Sequence, residues 1–194
     1  MGNRPETQAG LSRRTLLAGI GGGLVLLARP AAAREERERH IRLLCPETGE
    51  RFWGVYWQDD AYLPDAMRRI DWLMRDFHCE EAARMDPALI DLLHRINLLV
   101  GLHRPVHVLS GFRTRATNLQ LRREGWPAAP ESQHLVAHAA DIRVEGVAAA
   151  RLGHAAERLH RGGVGAYADY VHVDTGPVRE WSGSRAAPRR HGAG

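Results

Sequence analysis

Ser132-Gln133-His134-Leu135-Val136-Ala137-His138-Ala139-Ala140-Asp141, followed by Asp169-Tyr170-Val171-His172-Val173-Asp174, is the part of this 194-residue chain that decides its architecture. Ala139 to Val144 has the length and apolar character of a strand, and so does Tyr170 to Val173. Each strand carries one misplaced group: Asp141 stands between Ala140 and Ile142, and His172 between Val171 and Val173. A carboxylate on an apolar strand is costly unless a metal or a cationic partner meets it. Two imidazoles and one carboxylate, His134, His172 and Asp141, form the donor set of a catalytic zinc site, which leaves its fourth position to water.

Working outward, Pro64-Asp65 opens a helix whose apolar positions are Met67, Ile70, Leu73, Met74 and Phe77. Asp86-Pro87 reads as an N-cap with proline at the first helical position, ahead of the apolar face Leu89, Ile90, Leu93, Ile96, Leu99 and Val100. Val106 to Leu109 reads as a strand, Thr114 to Glu124 as a helix closed by Gly125, Val147 to His160 as another helix, and Gly162 to Gly165 as a tight connection. The aromatics between Ile41 and Tyr62 suit short strands or turns packed on the core rather than a binding platform. Helices that gather ahead of turn-linked strands predict an α+β domain with a mainly antiparallel sheet.

The N-terminal residues 1–33 belong to targeting, not to the fold. Arg13-Arg14 precede a glycine-rich apolar stretch that ends at Ala31-Ala32-Ala33, the pattern of a twin-arginine signal cleaved after Ala33. Three adjacent glycines break the apolar run, which argues against a membrane anchor. Residues 34–40 then read as a charged, solvated leader, 41–183 as the folded domain, and 184–194 as a disordered tail. The formal charge of +4 shrinks once the signal is removed, leaving 23 basic against 22 acidic residues, so a nucleic-acid partner is poorly supported. With 44% hydrophobic and 26% charged residues, the composition is that of a globular protein. Cys45 and Cys79 would be permitted a disulfide in an oxidising compartment, a pairing the sequence leaves open.

The three ordered segments resemble the D-Ala-D-Ala peptidases of the VanX type on the hedgehog/DD-peptidase fold, and within them the YcbK-like exported murein endopeptidases. The pattern Ser-x-His-x-x-Gly-x-Ala-x-Asp reads here from Ser132 to Asp141, the acid three residues before a histidine is Asp169, and Ser110-Gly111-Phe112-Arg113-Thr114 matches the arginine-bearing segment. The likeness runs from Ile41 to Trp181 and departs at Ala137, where the family has glycine. It implies a periplasmic, zinc-dependent peptidase acting on peptidoglycan, with His134, Asp141 and His172 as metal ligands. Asp169 would be the general base and Ser132 a substrate contact. Arg113 would donate to the developing oxyanion or clamp a substrate carboxylate, and Asp174 would orient a ligand. The family uses Glu or Asp at position 169, and the shorter Asp demands tighter positioning. An alanine at a positive φ would strain the loop that carries His134.

Simpler readings stand beside these: Arg113 as a salt-bridge partner, Asp169 as a turn residue, and the whole domain as a zinc-containing wall-binding module without catalysis. His138 follows His134 by four residues, but without a Glu beside the first histidine it lacks the features of a helical zinc pair. No nucleophile elbow or phosphate-binding loop appears.

Overall fold

The computed structural model describes residues 37–101 and 104–183. The expected signal segment, the start of the leader and the tail from 184 lie outside them. The elements follow in the order β1 (Glu38–Leu44), β2 (Arg51–Gln58), β3 (Ala61–Tyr62), α1 (Pro64–Leu73), α2 (Pro87–Val100), β4 (Val106–Ser110) and α3 (Arg115–Arg123). A single 3₁₀ turn (Gln133–Val136) leads to β5 (Ala139–Val144), α4 (Ala149–Glu157), β6 (Gly163–Ala166), β7 (Val171–Asp174) and β8 (Arg179–Ser182).

The helices obey their local signals. Asp86 caps α2 by accepting from the Ala88 amide at 2.9 Å, with Pro87 at the first helical position. Thr114 caps α3 through the Thr117 amide. The buried stripe of α2 is wider than expected: Leu92 and Asn97 lie inside, whereas Leu99, at its margin, is exposed. Ile70 and Leu73 of α1 and Leu89, Leu93 and Ile96 of α2 close over Ile41, Leu43, Phe52 and Tyr56 of the first two strands, forming one continuous core.

Eight strands make one sheet in the order β3-β2-β1-β4-β5-β7-β6-β8. The domain is α+β, but the sheet is mixed rather than mainly antiparallel, because β1 pairs with β4 and β6 with β8 in parallel. The long excursion through α1 and α2 returns the chain to β1 in the same direction, as a crossover allows and a hairpin does not. The leader ends earlier than its charge suggested. Glu38, Arg39 and His40 already belong to β1, where Asp91 binds the Arg39 guanidinium at 2.8 and 2.7 Å over the ring of Trp57.

The glycine run is likewise a strand, β6, and not a tight connection. A Cβ at Gly163 would stand 2.6 Å from Asp174 Oδ2 and 2.8 Å from Arg179 Cζ, and one at Gly165 would stand 2.5 Å from the Trp181 indole. These glycines make room for side chains of β7 and β8. Cys45 is buried and Cys79 exposed, and both are free thiols, so the disulfide left open by the sequence is not formed.

Candidate metal centre

The centre is built on two antiparallel neighbours, β5 and β7, whose register sets Asp141 directly opposite His172. A single-residue slip would turn one of the two to the other face. On the other side of β5, a bulge between Val108 and Ser110 brings Ser110 opposite Asp141, and Ser110 Oγ accepts from Arg113 Nε at 2.7 Å. The third member, His134, arrives on the 3₁₀ turn that precedes β5. Ser132 caps that turn by accepting from the His134 amide at 3.3 Å, and Ala137 ends it at φ 61, ψ 27. The position where the resembling family has glycine therefore does adopt the left-handed conformation, with alanine in it.

Hydrogen bonding fixes which atom each ligand presents. His134 Nδ1 lies 2.6 Å from the Gly111 carbonyl oxygen, which can only accept, so Nδ1 carries the proton and Nε2 a lone pair. His172 Nε2 lies 3.0 Å from Asp174 Oδ2 and donates to it, leaving the lone pair on Nδ1. Nε2 of His134 stands 3.2 Å from Nδ1 of His172 and 3.3 Å from Asp141 Oδ1, and Nδ1 of His172 is 2.9 Å from the same oxygen. Three ligand atoms thus converge, those of His134 and His172 on buried residues and that of Asp141 on a partly exposed one, and in the neutral tautomers each turns a lone pair inward. Among the described residues this is the one cluster of three such groups, its ligand atoms all within 4.8 Å of one another. The donor set fits a divalent cation, and the chemistry of imidazole and carboxylate suits zinc.

The charges around it agree. Burial, aided by the Arg113 guanidinium, lowers the His134 pKa to about 4, so that imidazole is neutral and ready to ligate. Burial pushes the Asp141 carboxyl up, but His134 and Arg113 outweigh it and hold the group well below the usual carboxylate range. His172 goes the other way: burial opposes its cation, yet hydrogen bonds to Asp141 and Asp174 raise its pKa. A proton and a metal compete for that Nδ1 lone pair, and the same two carboxylates favour either cation. Asp174 is itself fully buried. It accepts from the amides of Gly163 and Gly176 at 2.9 Å each and from Arg179 at 2.7 Å; burial raises its pKa, but His172 and these amides outweigh that and keep it below its ordinary value.

The centre opens into a cavity of about 970 Å³ whose lining includes Arg113, Ser132, Asp169, Arg143, Trp126 and Trp181. Arg113 is buried; its Nη2 is 2.9 Å from His134 Nε2 and also pairs with Asp141 Oδ2. Asp169, in the turn between β6 and β7, is half exposed and bound by Arg143. The structure therefore brings together every site residue expected from the sequence. His138 stays outside the cluster. Three participants were not anticipated: Arg143, Arg179, and Trp181, whose indole lies 5.2 Å from the His172 ring, centroid to centroid. Arg143 could have been found, since it follows Asp141 by two residues and so shares its face of the strand. Nothing in the local sequence marks Arg179 or Trp181 as belonging to the centre.

A family model described as Peptidoglycan L,D-endopeptidase MepK matches residues 32–181. Peptidoglycan L,D-endopeptidase MepK of Escherichia coli (strain K12) is 34% identical over 176 residues, covering 88% of this chain and 97% of the relative. The protein of that name from Shigella flexneri matches to the same extent. A Haemophilus influenzae relative named "Probable peptidoglycan L,D-endopeptidase MepK" is 34% identical over 172 residues, covering 86% of this chain and 92% of its own length. No solved structure matches. Taken with the cluster of His134, Asp141 and His172 beside a cavity, the match places this chain in the MepK family of peptidoglycan L,D-endopeptidases.

Proposed function

We propose that this chain is an exported zinc-dependent peptidase that cuts peptide cross-links of peptidoglycan, with the L,D-endopeptidase specificity for which its relatives are named. The observation that carries the reading is the convergence of the His134, Asp141 and His172 lone pairs at one point that opens on a cavity. Zinc held there would supply a Lewis acid that polarises a peptide carbonyl and acidifies water.

The protein's own groups supply the remainder. Asp169, at the cavity wall, takes the proton of the attacking water and returns it to the leaving amine. Arg113 donates from its guanidinium toward the carbonyl oxygen as negative charge develops on it. Its Nε is held by Ser110 Oγ, so the outer end of the guanidinium is aimed by a fixed inner end. Ser132 lines the same wall and keeps the His134 turn closed. Export by the twin-arginine route to the periplasm, read from Arg13-Arg14 and the alanines up to Ala33, puts the enzyme beside its substrate. No helix among the described residues is long and apolar enough to cross a membrane.

The test is digestion of purified murein by the mature, metal-replete protein, with the fragments identified. Conversion of cross-linked to monomeric stem peptides is expected, whereas removal of a terminal residue alone would mark a carboxypeptidase. Asp169→Asn should keep zinc and lose about 10² to 10⁴ in turnover, whereas Asp141→Asn should lose the metal as well. A wild-type protein that holds zinc and cuts no murein peptide would establish the wall-binding module instead.

A further inference from the structure

The sequence poses a problem at Asp169: its side chain is one methylene shorter than Glu, and it sits in a turn rather than on a strand. A carboxylate that moves one proton twice must hold its place to a fraction of an ångström. The turn itself is tightly built. The Tyr167 amide donates to the Tyr170 carbonyl at 3.0 Å, and the two phenol rings stack at 4.4 Å with their planes 4° apart. That fixes the ends of the turn, not the Asp169 side chain between them.

Arg143 reaches that side chain from β5. Its Nε donates to the Asp169 main-chain oxygen at 2.8 Å and its Nη2 to Asp169 Oδ2 at 2.6 Å. One planar group thus holds the backbone and the carboxylate of a single residue, which fixes the side-chain torsions between them in a way that one contact would not. Arg143 in turn stands two residues after Asp141 on the same strand and on the same face. The strand that presents the ligand therefore also sets the distance to the residue proposed as the base. The pair is about 40% exposed on each side, 39% and 40%, so its ionic attraction alone contributes little to stability. Its geometry is what distinguishes it.

We infer that Arg143 is a positioning residue for catalysis: it holds Asp169 at a fixed offset from the metal ligand Asp141, and so makes the short aspartate competent where a longer acid would reach unaided. This rests on the proposed role of Asp169 as the general base. Arg143 acts through Asp169 and forms no bond to the reacting atoms.

The experiment is a double-mutant cycle on the mature, zinc-loaded protein with cross-linked muropeptides as substrate. It compares wild type, Arg143→Ala, Asp169→Asn and the double variant, with zinc content measured for each. Arg143→Ala should lower kcat about 10²-fold, the penalty expected of a misplacement near 1 Å, with KM and zinc content nearly unchanged. In the Asp169→Asn background the same substitution should cost nothing further. Arg143→Lys should fold as wild type and recover only part of kcat, because an ammonium cannot span both acceptors with the geometry of the fork. That variant decides the matter if Arg143→Ala does not fold. Wild-type kcat in Arg143→Lys and Arg143→Ala beside an inactive Asp169→Asn overturns the inference and leaves the base intact. A raised KM at unchanged kcat, or an equal loss in both backgrounds, makes Arg143 a substrate contact and overturns it too. Wild-type turnover in Asp169→Asn removes the base reading, and this inference with it.

Discussion

Replacing Asp174 by Asn should weaken zinc binding without touching a ligand. Asp174 Oδ2 accepts from His172 Nε2 at 3.0 Å and from Arg179 at 2.7 Å, whereas Oδ1 accepts from the amides of Gly163 and Gly176 at 2.9 Å each. Every neighbour is a donor, and an amide offers only one accepting end. If the Asn nitrogen takes the Oδ2 place, it faces the His172 and Arg179 donors. His172 relieves its clash by moving its proton to Nδ1, the atom that must ligate. If the nitrogen takes the Oδ1 place, two backbone amides are left without an acceptor in a fully buried position.

Either orientation costs metal affinity, and loss of an outer partner of a ligating histidine is typically worth about 10- to 100-fold. That is about 1.4 to 2.7 kcal/mol. The assay is the zinc dissociation constant by chelator competition, together with thermal unfolding with and without zinc. A folded Asp174→Asn protein with wild-type zinc affinity would refute the assignment of the His172 proton to Nε2, and with it the argument that three lone pairs face one another.

Two further outcomes follow from the chain's local chemistry. At Ala137, relief of a left-handed alanine contributes about 1–2 kcal/mol, offset by about 0.8 kcal/mol for the buried methyl and about 0.4–1 kcal/mol of unfolded-chain entropy. Ala137→Gly should therefore leave the thermal midpoint and zinc affinity nearly unchanged, whereas Ala137→Val, β-branched at φ 61, should destabilise by about 2 kcal/mol or more in a denaturant titration. Arg13→Lys with Arg14→Lys should leave the precursor in the cytoplasm on fractionation, and normal export of the double variant would show that the paired arginines are not what is read.

The residues of the centre were legible because each stands in a short segment of distinctive pattern. Asp141 and His172 each sit in a run whose apolar neighbours make the polar residue conspicuous, His134 stands in the ordered segment from Ser132 to Asp141, and capping chemistry fixed the start of α2 at Asp86-Pro87 to the residue. What escaped depends on partners far along the chain. Gly163 and Gly165 look like a turn until Arg179 and Trp181 are known to lie over them. Arg39 looks like part of a solvated leader until Asp91 and Trp57 are found beneath it. The parallel pairings of β1 with β4 and β6 with β8 leave no periodic trace, because alternation reports which face of a strand is buried and not which way its neighbour runs.

Arg113 connects the fold to the chemistry. Three acceptors with their lone pairs turned inward repel one another, and a domain that had to form them bare would bear that cost on folding. The Arg113 guanidinium already lies among them, donating Nη2 to His134 Nε2 and to Asp141 Oδ2, with its own Nε tied to Ser110. It supplies one positive charge to the cluster from within the chain. A metal ligated by His134 Nε2 needs the same lone pair that Arg113 Nη2 occupies, so the two cannot hold it together. The arginine that balances the cluster also lines the cavity onto which the centre opens.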